Sequence, residues 1–284
     1  MKKLMKIAPI MAAVMFTGCA SITDRGIAYM PDQSKAYNIA YSGGLVQGIK
    51  DTEIPKGESQ ALSKALTSTG YVGVNFFNPQ LGMSNWAIGG LSVMDAFLKP
   101  DTHSERNSLM AWMPMELASN KKEAQAVFLD NVKVATMKAL DELDIKNYSP
   151  YETDGYVSIL IVDNRWGCLD YEASKKSDLE MCRVKIDIFE PHKSKAPDFI
   201  SQKNEDAWRF GASAKYDYNR IHLDIDKKLG VPTDEIYQQI SKNLPSWAYL
   251  YVAPRRIKTD GKADYTFPYI LNKGELNLFV TENK

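Results

Sequence analysis

Residues 182–190 read Cys-Arg-Val-Lys-Ile-Asp-Ile-Phe-Glu. From Arg183 onward the apolar residues Val184, Ile186 and Ile188 alternate with Lys185 and Asp187. In an extended chain successive side chains point to opposite faces, so this stretch is a strand with one apolar and one polar face. Upstream, Tyr156–Val162 is a mostly apolar run, as a central strand requires. Downstream, Arg220–Asp226 alternates strictly, with Ile221, Leu223 and Ile225 on one side and His222, Asp224 and Asp226 on the other. Ala207–Ala214 and Trp247–Val252 read as further strands. Phe267–Leu271 and Leu276–Val280 flank Asn272-Lys273-Gly274-Glu275, a hairpin signal.

Helical spacing appears elsewhere. Over Lys121–Leu143 the residues Ala124, Phe128, Val132, Ala135, Ala139 and Leu143 recur at three and four, giving one apolar stripe. Asn120 with Glu123 predicts a capping box at its start, whereas Asp141, Glu142 and Asp144 oppose the helix dipole at its end. Ser59–Ser68 and Leu91–Leu98 read as helices, with Tyr71–Phe77 as a short strand between them. Gly230, Pro232 and Thr233 open a helix over Asp234–Asn243 with Ile236 and Ile240 inward. The pattern predicts an α+β fold with a helix-richer N-terminal half. A mostly antiparallel sheet fills the C-terminal half, with helices packed against it.

The chain opens with Lys2, Lys3 and Lys6, followed by an apolar run from Ile7 to Phe16 and then Phe16-Thr17-Gly18-Cys19-Ala20. A basic start, a short apolar core and small residues at its end are the layout of a secretory signal. The run is far shorter than the ~20 residues that cross a bilayer as a helix. The Cys after Thr-Gly resembles the lipobox of bacterial lipoproteins, with Phe16 where that family prefers Leu. The resemblance implies cleavage after Gly18 and acylation (palmitate-type chains) of Cys19. With Ala20 and Ser21 following, it also implies sorting to the outer membrane of a Gram-negative envelope, with the body in the periplasm. The organisation expected is therefore a signal peptide over 1–18, a lipid-anchored and partly ordered tether over 19–57, and a body over 58–284 with a possible subdivision near 148.

Charge excludes one class of partner. The chain has 35 Lys plus Arg and 35 Asp plus Glu, and three of the bases lie in the leader, so the processed chain is slightly acidic. A nucleic-acid partner needs a positive footprint, and no basic block is present. Of the three cysteines, Cys168 and Cys182 remain beyond Cys19. In an exported chain they read first as a disulfide stapling the excursion between two strands, with two free thiols as the competing reading. Neither a CxxC spacing nor a neighbouring His supports a metal pair.

Catalytic motifs are sparse. His222, Asp224 and Asp226 share one strand face, ~6.6 Å apart along the strand, so a metal there needs a ligand from elsewhere; the competing reading is a solvated sheet face. Gly82-Met83-Ser84-Asn85-Trp86 lacks the second Gly of a nucleophile elbow, and Ser119-Asn120-Lys121-Lys122 is better explained as a cap. Arg165 and Trp166 follow a strand and have the chemistry of binding anchors, or of a turn packed on the disulfide. Tyr249 and Tyr251 share a strand face that reads as a glycan or protein contact, or as core edge. No cofactor is expected. The function expected is a non-catalytic binding or assembly component of the envelope, held by lipid and partnered by an envelope protein or glycan. The alternatives are an anchored hydrolase using carboxylates from distant segments, and a solute-binding lipoprotein.

Overall fold

A computed structural model describes residues 27–45, 48–60, 106–170, 181–200, 205–211, 219–225, 231, 233–254, 256–259, 262–265 and 268–283. The leader, Cys19, Asp226, nearly all of the helix expected over 59–68 and the elements expected over 71–98 lie outside the described residues. In chain order the elements are α1 (Lys35–Ser42), β1 (Thr52–Ile54), β2 (Ser108–Pro114), α2 (Lys121–Glu142), β3 (Tyr148–Thr153), β4 (Tyr156–Ile161) and β5 (Cys182–Asp187). They continue as β6 (His192–Lys195), β7 (Asp206–Phe210), β8 (Arg220–Asp224), α3 (Thr233–Asn243), β9 (Ala248–Val252), β10 (Arg256–Thr259), β11 (Lys262–Tyr265), β12 (Tyr269–Asn272), β13 (Glu275–Leu278) and β14 (Val280–Glu282).

The fold is α+β with an extensive antiparallel sheet. Its path runs β13-β12-β9-β2-β8-β5-β4-β3, with β7 joined to β2 and β6 to β7. The helices do not gather in the N-terminal half: among the described residues they stand early, in the middle and late in the chain. The reason is that the sheet's apolar face extends from β4 to β12 and needs cover from both α2 and α3.

Two helices form that cover. Ala124, Phe128, Val132, Ala135 and Ala139 of α2 and Ile236 and Ile240 of α3 bury against Leu109, Ala111, Val157, Ile159, Val184, Ile186, Ile221, Leu250 and Leu271 of the strands. Asn120 caps α2 by accepting from the Glu123 N–H at 3.0 Å. The Glu123 carboxylate accepts from the N–H of Ser119, at 2.8 Å, so the reciprocal arm of the capping box lands one residue earlier than the motif implies. At the other end Lys146 Nζ donates to Asp141 O at 2.8 Å and Arg165 Nη2 to Asp144 O at 3.0 Å. Two cations thus answer the acid-rich last turn and its unpaired carbonyls.

The opposite side of the sheet is covered only in part. Ala36, Ile39 and Ala40 of α1 pack with Met110, Trp112, Tyr249, Tyr251, Ile270 and Phe279 into a second core. A Cβ on Gly43, just past α1, would lie 2.2 Å from Met110 Sδ, so any larger residue there would have to displace the Met110 side chain. Asp51 anchors the helix start by accepting from the Ser34 N–H at 2.6 Å, and Ser34 Oγ in turn accepts from the Tyr37 N–H at 3.0 Å. β1 pairs in parallel with β14. The described part of the segment read as a tether is therefore a packed layer of the body.

β5 and β6, with a break at 188–191 between them, pair with β8 and β7 respectively. The buried Asn219 spans the break. Its Oδ1 accepts from the Phe189 N–H at 2.8 Å, its Nδ2 donates to Gly211 O at 3.0 Å, and its carbonyl accepts from the Leu109 N–H at 2.9 Å. The Cys168–Cys182 disulfide forms, with Cα atoms 5.4 Å apart and both residues fully buried. Cys182 pairs with Ile161, so the link closes the base of the β4–β5 excursion as the sequence implies.

Closing a loop of this size removes unfolded-state entropy worth about 3 kcal/mol. Replacing both Cys168 and Cys182 by Ala is expected to lower unfolding stability by about that amount in urea titrations. The parent under reducing conditions should lose a comparable amount; an unchanged midpoint would show that the link constrains nothing.

Candidate functional site

Four strands of the sheet leave one face uncovered among the described residues. Register aligns their outward side chains into three rows. The first is Thr153, Tyr156, Asp187 and Arg220; the second Tyr151, Ser158, Lys185 and His222; the third Ser149, Leu160, Arg183 and Asp224. Neighbours across strands are ~4.8 Å apart, so each row is a continuous strip. The apolar partners on these strands, such as Val157, Val184 and Ile221, are sealed beneath α2 and α3. Strict alternation in the sequence thus creates the polar face directly.

Charge on this face is mostly internally paired. Arg220 Nε bonds the Asp187 carboxylate across the strands, and Lys185 Nζ bonds that of Asp224 on the diagonal. Arg183 touches Met181 Sδ at 3.2 Å. His222 lies between the two ion pairs. Partial burial is the main cause that pulls its pKa below the usual imidazole value; Lys185 and Arg220 add to this, and Asp224 opposes it. The imidazole is therefore neutral at neutral pH. Tyr151, on edge strand β3, is 65% exposed. Pro150 beside it lacks an N–H, which blunts the open edge against uncontrolled strand pairing.

The metal candidates divide. His222 and Asp224 share the face, Asp224 is engaged by Lys185, and Asp226 lies outside the described residues. Among the described residues no three His, Cys, Asp or Glu side chains form a group able to hold a metal ion. Cys19 likewise lies outside the described residues.

Arg165 and Trp166 sit on a single 3-10 turn, Asn164–Trp166, closed by Gly167 in the left-handed region. Arg165 Nη2 bonds the Asp163 carboxylate at 2.6 Å as well as Asp144 O, and its guanidinium lies 4.9 Å from the centre of the Trp166 ring. The bonds from Arg165 hold the Asp163 carboxyl below its ordinary pKa. Trp166 packs on the core that contains both disulfide cysteines. The turn-and-packing reading accounts for both side chains.

Tyr249 and Tyr251 do share one strand face, but that face is core, not an open aromatic surface. α1 lies over it, with Tyr249 edge-on to Trp112 at 5.8 Å and Tyr251 edge-on to Phe279 at 6.0 Å. Burial pushes the Tyr249 hydroxyl up to about 12. The period-two pattern placed the rings correctly relative to each other; what it lacked was α1, whose eight residues give too short a periodic signal.

NMR titration of His222 checks the electrostatics. Its pKa should fall below 6.5, rise in Lys185→Gln and fall further in Asp224→Asn. A depressed histidine leaves the unfolded chain binding protons more readily. Its contribution to stability is thus complete above the unfolded pKa and declines as pH drops through the folded one. A Lys185→Gln variant with an unmoved His222 would contradict the arrangement.

Comparison with protein families, with curated proteins and with solved structures finds no match to this chain.

Proposed function

We propose that this chain is a lipid-anchored component of a bacterial envelope whose body binds or assembles with another envelope molecule, protein or glycan, without catalysis. The observation that carries the binding half of this reading is the face of β3, β4, β5 and β8 that no described residue covers. It offers Tyr151, Tyr156, Arg183 and His222 on a rigid sheet. Arg and Tyr are the side chains that most often anchor protein contacts. The two carboxylates on the face, Asp187 and Asp224, are each bonded to a cation. That arrangement favours recognition over the hydrolase reading, which needs a carboxyl free to exchange a proton.

The anchoring half rests on Lys2, Lys3, Lys6, the apolar run and Cys19. The Cys168–Cys182 disulfide supports it, because such links persist in oxidising compartments. Two or more acyl chains on one Cys hold a protein firmly, each buried methylene adding ~0.8 kcal/mol. Ile27 lies eight positions after Cys19, and at roughly 3.5 Å per step the start of the described body can stand no more than about 30 Å from the acylated residue. In a Gram-negative cell Ala20 and Ser21 direct it to the outer membrane, with the body in the periplasm.

The two halves are testable together in intact cells. The parent should carry acyl mass on its amino-terminal peptide and sediment with membranes, and Cys19→Ser should do neither. A photo-crosslinking residue at Tyr151 should give a discrete adduct, whereas one at Val134, exposed on the outer side of α2, should give none. Membrane partition of Cys19→Ser equal to the parent's would remove the anchor. Equal labelling from both positions would remove the binding face.

A further inference from the structure

Among the described residues, two buried side-chain polar atoms have no hydrogen-bond partner: Arg209 Nε and Ser42 Oγ. They are 167 positions apart in sequence, yet they belong to segments in direct contact. Ser42 ends α1 and Arg209 sits on β7. Two glycines make the contact. A Cβ on Gly211 would lie 2.8 Å from Gly43 O and 3.7 Å from Arg209 Nη2. Register sets Trp112 of β2 opposite Arg209 on one side and His192 of β6 on the other. Trp112 is 3% exposed, so the guanidinium stands beside an apolar wall.

This arginine differs from its neighbours. Arg165 has the Asp163 carboxylate and Arg220 has that of Asp187. Among the described residues, Arg209 Nε has no such partner. Burial alone perturbs it, lowering its pKa, and no acid acts in the other direction. The carboxyl end of α1 favours a nearby cation through its dipole, yet leaves Nε unbonded. Arg209 as a whole is half-buried, and a charged group drawn partly out of water with a donor left unbonded is costly to hold.

We propose that Arg209, with Ser42 as a second donor, is the binding site for an oxyanion, the carboxylate or phosphate group of a ligand. The Nε–H and Nη2–H of a guanidinium project in parallel from one edge and match two oxygens of such a group. A serine hydroxyl rotates to supply a further donor. The low-dielectric wall formed by Trp112 strengthens those bonds. The site lies on the same side of the sheet as the open polar face, because Trp112 and Arg209 share that side with Ser108 and Arg220. A ligand seated along the face could therefore place an acidic end at Arg209. The site does not depend on lipid anchoring and stands or falls separately from it.

The experiment is thermal unfolding of the full chain titrated with inorganic phosphate and, separately, acetate, at ionic strength held constant with chloride. The expected result is a saturable rise in Tm with one or both anions. Arg209→Gln should abolish the rise, and Ser42→Ala should move its half-point to higher anion concentration. A response to phosphate alone assigns a phosphate group, and one to acetate alone a carboxylate. The proposal is overturned if the parent shows no saturable response to either anion, as ordered water at the site would give, or if Arg209→Gln responds as the parent does. Should Arg209→Gln fail to fold, Ser42→Ala decides: a shifted half-point supports the site and an unshifted one overturns it.

Discussion

Burial of β2 on both faces is the constraint from which the rest of the architecture follows. Leu109, Ala111 and Met113 enter the core beneath α2 and α3, while Met110 and Trp112 enter the one beneath α1. A strand apolar on both sides cannot sit at a solvated surface, so the chain must supply a layer above and a layer below it. α2 and α3 supply one. The segment around α1, which the sequence suggests is a partly ordered tether, supplies the other. Among the described residues the same sheet leaves β8, β5, β4 and β3 without that second layer, and there the alternation of burial along the strands shows as a polar face.

Two devices hold the less regular half to this frame. The disulfide fixes the base of the β4–β5 excursion, next to the Asp163–Cys168 bridge and the turn carrying Trp166. Asn219 joins the break between β5 and β6 to Gly211 and β2 with both ends of its amide and its own carbonyl. Buried polar groups of this kind are stable because every atom has a partner. Arg209, ten residues earlier on β7, is the contrast: a half-buried arginine whose Nε has no partner among the described residues.

How much of this was legible depended on the pattern each element leaves. The strands β5 and β8 alternate in sequence and their faces follow from period two, whereas β4 reads as a mostly apolar central run although only one of its sides is sealed. α2 carries a long stripe at three and four, and its N-cap is where Asn120 predicts. The hairpin at Lys273-Gly274 forms with positive φ at both residues, as the sequence signal requires. β2 was not recognised, because a strand buried on both faces shows no alternation. β3 escaped because Pro150 argues against a strand, although the Asp154-Gly155 turn, with Gly155 at φ +73°, was a readable cue. The polar face was anticipated only as a solvated strand around His222. Tyr249 and Tyr251 were placed on one face but without α1 over them. Nothing in the composition marks Arg209 or Ser42, since their isolation is a property of the packing of α1 on β7.

The central claim is that α1 and the sheet beneath it form one cooperative core through β2. Hydrogen exchange of the Leu109–Met113 amides, in the parent and in Ile39→Ala, measures this most directly. The account requires these amides to be among the slowest in the parent and to exchange faster, together with those of Leu250 and Ile270, when the buried Ile39 side chain is truncated. Acceleration confined to α1, with β2 unchanged, would show that the helix is an independent appendage and would contradict the account.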